Sequence, residues 1–287
     1  RKKRTAVCRQ MSGSVPATVG EIATSLGVAR STLYYRPKLP EKDEELKRAI
    51  LQVWKEFPEY GRPRLALHLH VNHKRIGRVM RKFGLKAPRR RVRLSKSEDQ
   101  GLPVAPFPNL LATLCPIAPG VVWVADFTYL LFHGRFYYLA TVLDMFTREV
   151  IGWNILSVRT AELVKGAFED ALFRTGTTPY LFHFDQGSQY QATDYLFQVE
   201  QRGILVSMSE KASPWQNPHQ ESYYSHFKLD LGEVSRFATL GELVAEIHWL
   251  IVRYNTLRIH SALKMPPTIF REQLLEKSRS PKLVQTV

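Results

Sequence analysis

The chain has 287 residues, 44% of them apolar, and a net charge of +15. That length exceeds one ordinary small domain, and the apolar share excludes a largely disordered chain. No run of eighteen apolar residues exists, so no spanning helix is expected. The start, Arg1-Lys2-Lys3-Arg4, leads into polar sequence, so no secretory signal is expected either. Cys8 and Cys115 alone build neither a disulfide framework nor a four-ligand zinc site, which fits a reducing cytoplasm.

The charge is unevenly spread. Residues 1–94 carry 24 lysines and arginines against 7 acids, a net of +17, while residues 95–287 carry 17 against 19. A solubility charge would be dispersed; concentration in the first third is the footprint of a nucleic-acid-binding module.

Residues 18–36 read as a helix-turn-helix. Ile22, Leu26, Val28 and Leu33 form one small core, Ala23 allows close approach, Gly27 makes the turn and Pro37 ends the second helix. Arg30, Ser31, Thr32 and Tyr35 are its candidate groove or phosphate contacts. An amphipathic helix follows from Glu44 to Phe57, with Leu46, Ile50, Val53, Trp54 and Phe57 apolar. Two short helices are expected around Arg64–His70 and His73–Phe83, the second offering Lys74, Arg75, Arg78, Arg81 and Lys82 to DNA. His68, His70 and His73 lack a nearby cysteine or carboxylate to complete a metal site. Arg89, Arg90, Arg91 and Arg93 read as an extended arm on the phosphate backbone.

From Val121 the texture changes to strands. Val121–Phe132 and Phe136–Asp144 make a hairpin about His133-Gly134-Arg135, and Glu149–Leu156 is a third strand. Thr160 caps a helix reaching about Thr175, with Leu163, Ala167 and Leu172 inward. Tyr180–Phe184, helix Ala192–Arg202 and Ile204–Met208 follow, then helices Gln216–Leu229 and Leu240–Tyr254. The order βββαβαβα is the ribonuclease-H-like arrangement. The expected fold class is thus α+β or α/β: helical helix-turn-helix modules, then a mixed five-stranded sheet flanked by helices. The segments are 1–38 (basic helix-turn-helix), 39–94 (basic helical module), 95–120 (linker), 121–275 (core) and 276–287 (tail).

Three acids stand where that fold would gather them. Asp126 interrupts the apolar strand Val121–Ala125, Asp185 ends the fourth strand, and Glu221 lies in a late helix. An ionised acid among strand hydrophobes is costly unless it is paired, hydrogen-bonded or metal-bound. Neighbouring carboxylates repel and a divalent cation relieves the repulsion; hard oxygen ligands suit Mg²⁺ or Mn²⁺. Such a cluster with two cations serves in-line displacement at phosphorus. Singly, each acid also has a bland reading as a basic residue's partner, a turn former or a solvated helical acid.

The segments Trp123-Val124-Ala125-Asp126-Phe127-Thr128-Tyr129, His183-Phe184-Asp185-Gln186-Gly187-Ser188-Gln189-Tyr190 and Gln220-Glu221-Ser222-Tyr223-Tyr224 resemble the three DDE motifs of the insertion-sequence-three transposase family. The 35 residues between Asp185 and Glu221 match the separation that names that signature. Tyr254-Asn255 with Arg258, His260, Leu263 and Pro267 is similar to its closing motif. The likeness runs from about residue 45 to 272. The first 40 residues match only as a generic helix-turn-helix.

The resemblance implies Asp126, Asp185 and Glu221 as catalytic residues and metal ligands, with Mg²⁺ as cofactor, Mn²⁺ as substitute and two ions per site. It implies binding of double-stranded DNA at inverted-repeat ends and target, a homo-oligomer in the DNA complex, and the element's upstream-frame protein as a candidate partner. It also implies a cytoplasmic, nucleoid-associated enzyme in a prokaryote. Lys228 matches the family's basic residue seven positions after the glutamate; two helical turns put it on Glu221's face, to hold the terminal phosphate. Pro218-His219 departs from an expected Gly-Tyr, although proline is tolerated in a first helical turn. The rival readings are a catalytically inactive or domesticated helix-turn-helix DNA-binding protein and a ribonuclease-H-like nuclease without strand transfer.

Overall fold

A computed structural model describes residues 18–25, 27, 29–31, 39–88, 106–114, 116–210, 213 and 216–279. The chain forms two compact units, Arg1–Pro88 and Arg89–Val287. Thr32, Tyr35, Arg89, Arg90, Arg91 and Arg93, all candidate DNA contacts, lie outside the described residues, as do Leu26, Val28 and Leu33.

The first unit begins with α1 (Val19–Ser25), α2 (Leu39–Glu56), α3 (Arg62–His68) and α4 (His73–Lys82). The Thr18 hydroxyl accepts from the Glu21 N–H at 3.4 Å, and Glu21 Oε2 accepts from the Thr18 N–H at 2.8 Å, a reciprocal cap that starts α1. Gly27 takes φ +59° in the turn that follows, where a side chain would be strained. Arg30 and Ser31 are exposed and helical.

Helix α2 starts at Leu39, five residues before the sequence reading. It buries Asp43, Leu46, Ile50 and Val53, a stripe at helical spacing with a charge in it. That charge is answered from α4. Arg78 grips both Asp43 carboxylate oxygens (2.6 and 2.8 Å), Lys82 lies 3.0 Å from one of them, and Arg75 donates to the Lys42 carbonyl at 3.2 Å. Three cations read from sequence as DNA contacts therefore also tie α4 to α2. His68 packs its ring against Phe57 and Tyr60, which are themselves stacked 4.6 Å apart.

The second unit is built on a sheet of β1 (Val122–Phe132), β2 (Arg135–Asp144), β3 (Val150–Leu156), β4 (Leu181–Phe184) and β5 (Leu205–Met208), in the order β3-β2-β1-β4-β5. The β1–β2 and β2–β3 pairs are antiparallel; β1–β4 and β4–β5 are parallel. One face carries α5 (Ala161–Thr175) and α6 (Thr193–Glu200), packed through Leu163, Ala167, Phe168 and Tyr195 onto Trp123, Phe182 and Phe184. The other carries α7 (Pro218–Leu231) and α8 (Leu240–Thr256), packed through Tyr223, Phe227, Ile247 and Ile251 onto Val124, Leu139 and Val150.

Some expectations are corrected. Thr160 is the N-cap residue of α5, but its side chain makes no capping bond. Helix α9 (Pro267–Arg279) adds to the helices expected from sequence and runs past the expected end of the core at 275. Within the closing motif, Asn255 accepts from the Val150 N–H (2.9 Å) and donates to the Val150 carbonyl (2.8 Å), so one side chain imitates a ladder partner for edge strand β3. Arg258 and Arg253 both pair with Asp230 of α7, the first at very short range. Among the described residues no helix is long and apolar enough to cross a membrane.

Candidate active site

Strands β1 and β4 run side by side only from Val122↔Leu181 to Val124↔His183, then part. Two residues beyond that last pair stand Asp126 on β1 and Asp185 just after β4. The register that ends at 124↔183 puts 126 level with 185, at the carboxyl ends of neighbouring parallel strands spaced about 4.8 Å apart. This fork is also where the strand order reverses, the crevice in which open α/β sheets bind ligands.

Asp126 feels both other acids. Burial pushes the largely buried Asp126 carboxyl up, the Asp185 and Glu221 charges push it further, and the Phe127 N–H and Lys228 pull it back, leaving it at about 7. Asp185 is raised by burial and lowered by the Gly187 N–H, which donates to Oδ1 at 3.0 Å, and by the charge of Arg159. A Cβ at Gly187 would lie 2.1 Å from Gln189 Nε2 and 3.0 Å from Asp185 Oδ1, so the Gln189 side chain would have to move to admit one.

Glu221 sits in the exposed first turn of α7, which begins at Pro218, so the helix survives the Pro-His departure. His219 beside it is held at about 4, by burial first and then by Arg148. Lys228, two turns on, places Nζ 4.7 Å from the Tyr129 ring centroid on β1, within reach of Asp126's field. The last described residue before α5 that carries a positive charge, Arg159, was missed in the sequence; its guanidinium lies 5.9 Å from the ring centroid of Phe127, next to Asp126. Only the fold brings the β3–α5 loop to β1, so no local signal marked it. Lys74 and Arg81 are exposed on α4 of the other unit.

Among the described residues no three His, Cys, Asp or Glu side chains are gathered tightly enough to hold an ion. Carboxylates repel one another when no cation stands between them. The donor set nevertheless fits a hard divalent ion. It offers oxygen ligands only, and an Asp126 whose proton is retained to about 7 by burial first and by its negative neighbours second.

The chain is similar to known proteins over most of its length. Two family models, both described as Integrase core domain, match residues 116–214 and 202–267, and one described as HTH-like domain matches residues 41–93. Sheet order and matched models define the class: a polynucleotidyl transferase with an integrase core. The "Transposase for insertion sequence element IS904" of Lactococcus lactis subsp. lactis (strain IL1403) is 33% identical over 80% of this chain and 95% of that one. The "Insertion element IS600 uncharacterized 31 kDa protein" of Shigella sonnei is 34% identical over 86% of this chain and 96% of its own length. Among solved structures, the trimeric HTLV-2 integrase catalytic core domain in complex with magnesium matches at TM-score 0.45 and 16% identity, covering 54% of this chain and 98% of that one. The chain belongs to the insertion-sequence transposase family.

Proposed function

We propose that this transposase cuts and joins the inverted-repeat ends of its element at Asp126, Asp185 and Glu221. The observation that carries the assignment is the fork of β1 and β4, whose register brings positions 126 and 185 level, with the charges of Asp185 and Glu221 both felt at the Asp126 carboxyl. Cleavage is attack by water on a phosphodiester: the new bond is from water oxygen to phosphorus, the bond to the 3′ oxygen breaks, and that oxygen leaves as a hydroxyl. Transfer is attack by that 3′-hydroxyl on a second phosphodiester, whose own 3′ oxygen leaves.

Divalent cations held by the three carboxylates, Mg²⁺ or Mn²⁺ and two per site, would activate the attacking oxygen and neutralise the leaving one. The chain's own residues supply the rest. Asp126 gives up its proton near neutral pH, the Gly187 N–H orients Asp185, and Lys228 and Arg159 flank the acids as phosphate-binding cations. The basic first third, with Arg30, Ser31, Lys74 and Arg81 among its exposed residues, holds terminal DNA.

Incubation with DNA bearing both inverted repeats and Mg²⁺, scored for joined ends, tests this reading. D126N, D185N and E221Q should each abolish joining and leave end binding largely intact. Joining at the wild-type rate by any one of them would remove that acid from the site. Hydrolysed but never joined DNA from the wild type would favour a nuclease.

A further inference from the structure

Asp126 and Asp185 are placed by the sheet, but Glu221 is carried by a helix, so its distance from them depends on where α7 sits. The apolar contacts of Tyr223, Phe227 and Leu231 hold α7 against the sheet without direction. Beside them runs a buried polar set. Asn217 Nδ2 donates to the Ala125 carbonyl at 3.2 Å, and Gln220 Nε2 donates to the carbonyls of Val124 (2.8 Å) and Thr141 (3.1 Å). The Tyr224 hydroxyl donates to the Asp126 carbonyl at 2.7 Å, with the Leu139 carbonyl 3.2 Å away. Thr141, directly opposite Asp126 in the β1–β2 register, has its hydroxyl 3.0 Å from Gln220 Oε1 and 2.8 Å from the Tyr224 oxygen; its one proton serves one of them at a time.

Three consecutive carbonyls of β1, those of Val124, Ala125 and Asp126, are therefore each met by a side chain of α7 or of its N-cap residue Asn217, within about one turn of Glu221. The Ala125 carbonyl lies past the end of the β1–β4 ladder, so Asn217 supplies a donor that β4 does not. A helix slipped by one residue would move by about 1.5 Å and strand these buried groups without partners, which folded proteins avoid. A leucine at 220 would bury as well but would accept several positions.

We propose that Gln220, Tyr224 and Thr141 are a positioning lock that sets Glu221 over Asp126 and so fixes the affinity of the carboxylate cluster for a divalent cation. This rests on Glu221 being the third carboxylate. Mg²⁺ demands near-ideal octahedral geometry, so a displaced ligand is felt first as weaker metal binding.

The test uses the full chain with variants T141V, T141S, Y224F and E221Q, each measured for metal-free melting, for Mn²⁺ binding by titration calorimetry well below the melting point, and for joining against Mg²⁺ concentration. T141V and Y224F should bind Mn²⁺ about 10–100-fold more weakly, the usual effect of losing an outer-shell partner, and need correspondingly more Mg²⁺ to join ends. T141S, which keeps the hydroxyl, should return both towards wild type. In an E221Q background T141V should weaken Mn²⁺ binding no further, because the lock acts through that glutamate. T141V and Y224F that melt earlier yet bind Mn²⁺ as wild type does would overturn the lock and leave a merely structural network. If E221Q itself binds Mn²⁺ and joins DNA normally, the assignment of the site fails, and the lock fails with it.

Discussion

At Asp126 the folded chain keeps a carboxylic acid protonated to about pH 7, against an ordinary value of 3.8. An acid whose folded value is raised contributes no penalty while both states are protonated. Stability then falls as pH rises from about 4 to about 7, where the unfolded chain ionises and the folded one does not. In chelator, the D126N variant should lack that slope, so its advantage over wild type in urea unfolding should grow up to about pH 7 and then level off. A constant difference across that range would contradict the raised value. With metal present the proton and the cation compete, so half-saturating Mg²⁺ should rise as pH drops below about 7. One residue past Gln186 in the second motif, G187A would press on the Gln189 amide and Asp185 Oδ1. Gln189 is buried and has little room to retreat. Since a misplacement of about 1 Å can cost on the order of 100-fold in rate, joining by G187A should fall by about that much while the melting temperature changes little.

Elements meet at a few points where substitution is unforgiving. Gly152 of β3 faces α5 so closely that a Cβ would lie 2.3 Å from the Ala167 carbonyl oxygen and 2.5 Å from the Ala171 nitrogen. Both are backbone atoms of a buried helix, which cannot turn aside as a side chain can. G152A should therefore destabilise at the upper end of the overpacking range, about 3 kcal/mol, read from urea denaturation; a loss under about 0.5 kcal/mol would show that α5 shifts at little cost. In the helical unit, the grip of Arg78 first, and of Lys82, holds the Asp43 carboxyl down to about 2. A depressed acid gives stability that is present above its unfolded value near 4 and is lost as pH falls through about 2. Protection of the α4 amides from hydrogen exchange, relative to their intrinsic rates at each pH, should fall over that window in wild type, and D43N should be less protected already at neutral pH.

For the whole molecule, the net +17 of residues 1–94 predicts the division of labour. End binding should weaken steeply with salt as neutralised phosphates release their counterions, and a fragment of residues 95–287 should bind ends far more weakly than the full chain. Equal binding by that fragment would place recognition elsewhere. Joining one end to another also needs two ends held together, while each chain offers one set of three acids, so the active complex should be a multimer. Mixing D185N chains with chains that lack the basic first third should restore joined product if one chain binds an end that its partner cuts. Trp249 of α8, half exposed with the Arg253 guanidinium 5.3 Å from its ring centroid, is a candidate for such an interface; Ile251 on the same helix is buried in the core.

Local sequence determined much of this protein. Strand runs, turn residues and the spacing of three acids are written in neighbours along the chain. They gave the five strands and the core helices to within a few residues, as well as the family. Helix α9 was not legible, because its segment Pro267–Arg279 carries no strong apolar period and its place depends on what it packs beside. The same limit holds at the site. That Asp126 and Asp185 stand level follows from a β1–β4 register joining residues 59 apart in sequence, and no local pattern encodes a register between distant strands. Gln220, Tyr224 and Thr141 look like ordinary polar residues until the fold buries them against carbonyls nearly a hundred positions away. Arg78 reads as a groove contact until Asp43, 35 residues earlier, turns out to be buried beneath it. A charge pattern reports where cations are; only tertiary structure decides which of them are already engaged, because burial and partner are properties of the space around a side chain and not of its neighbours along the chain.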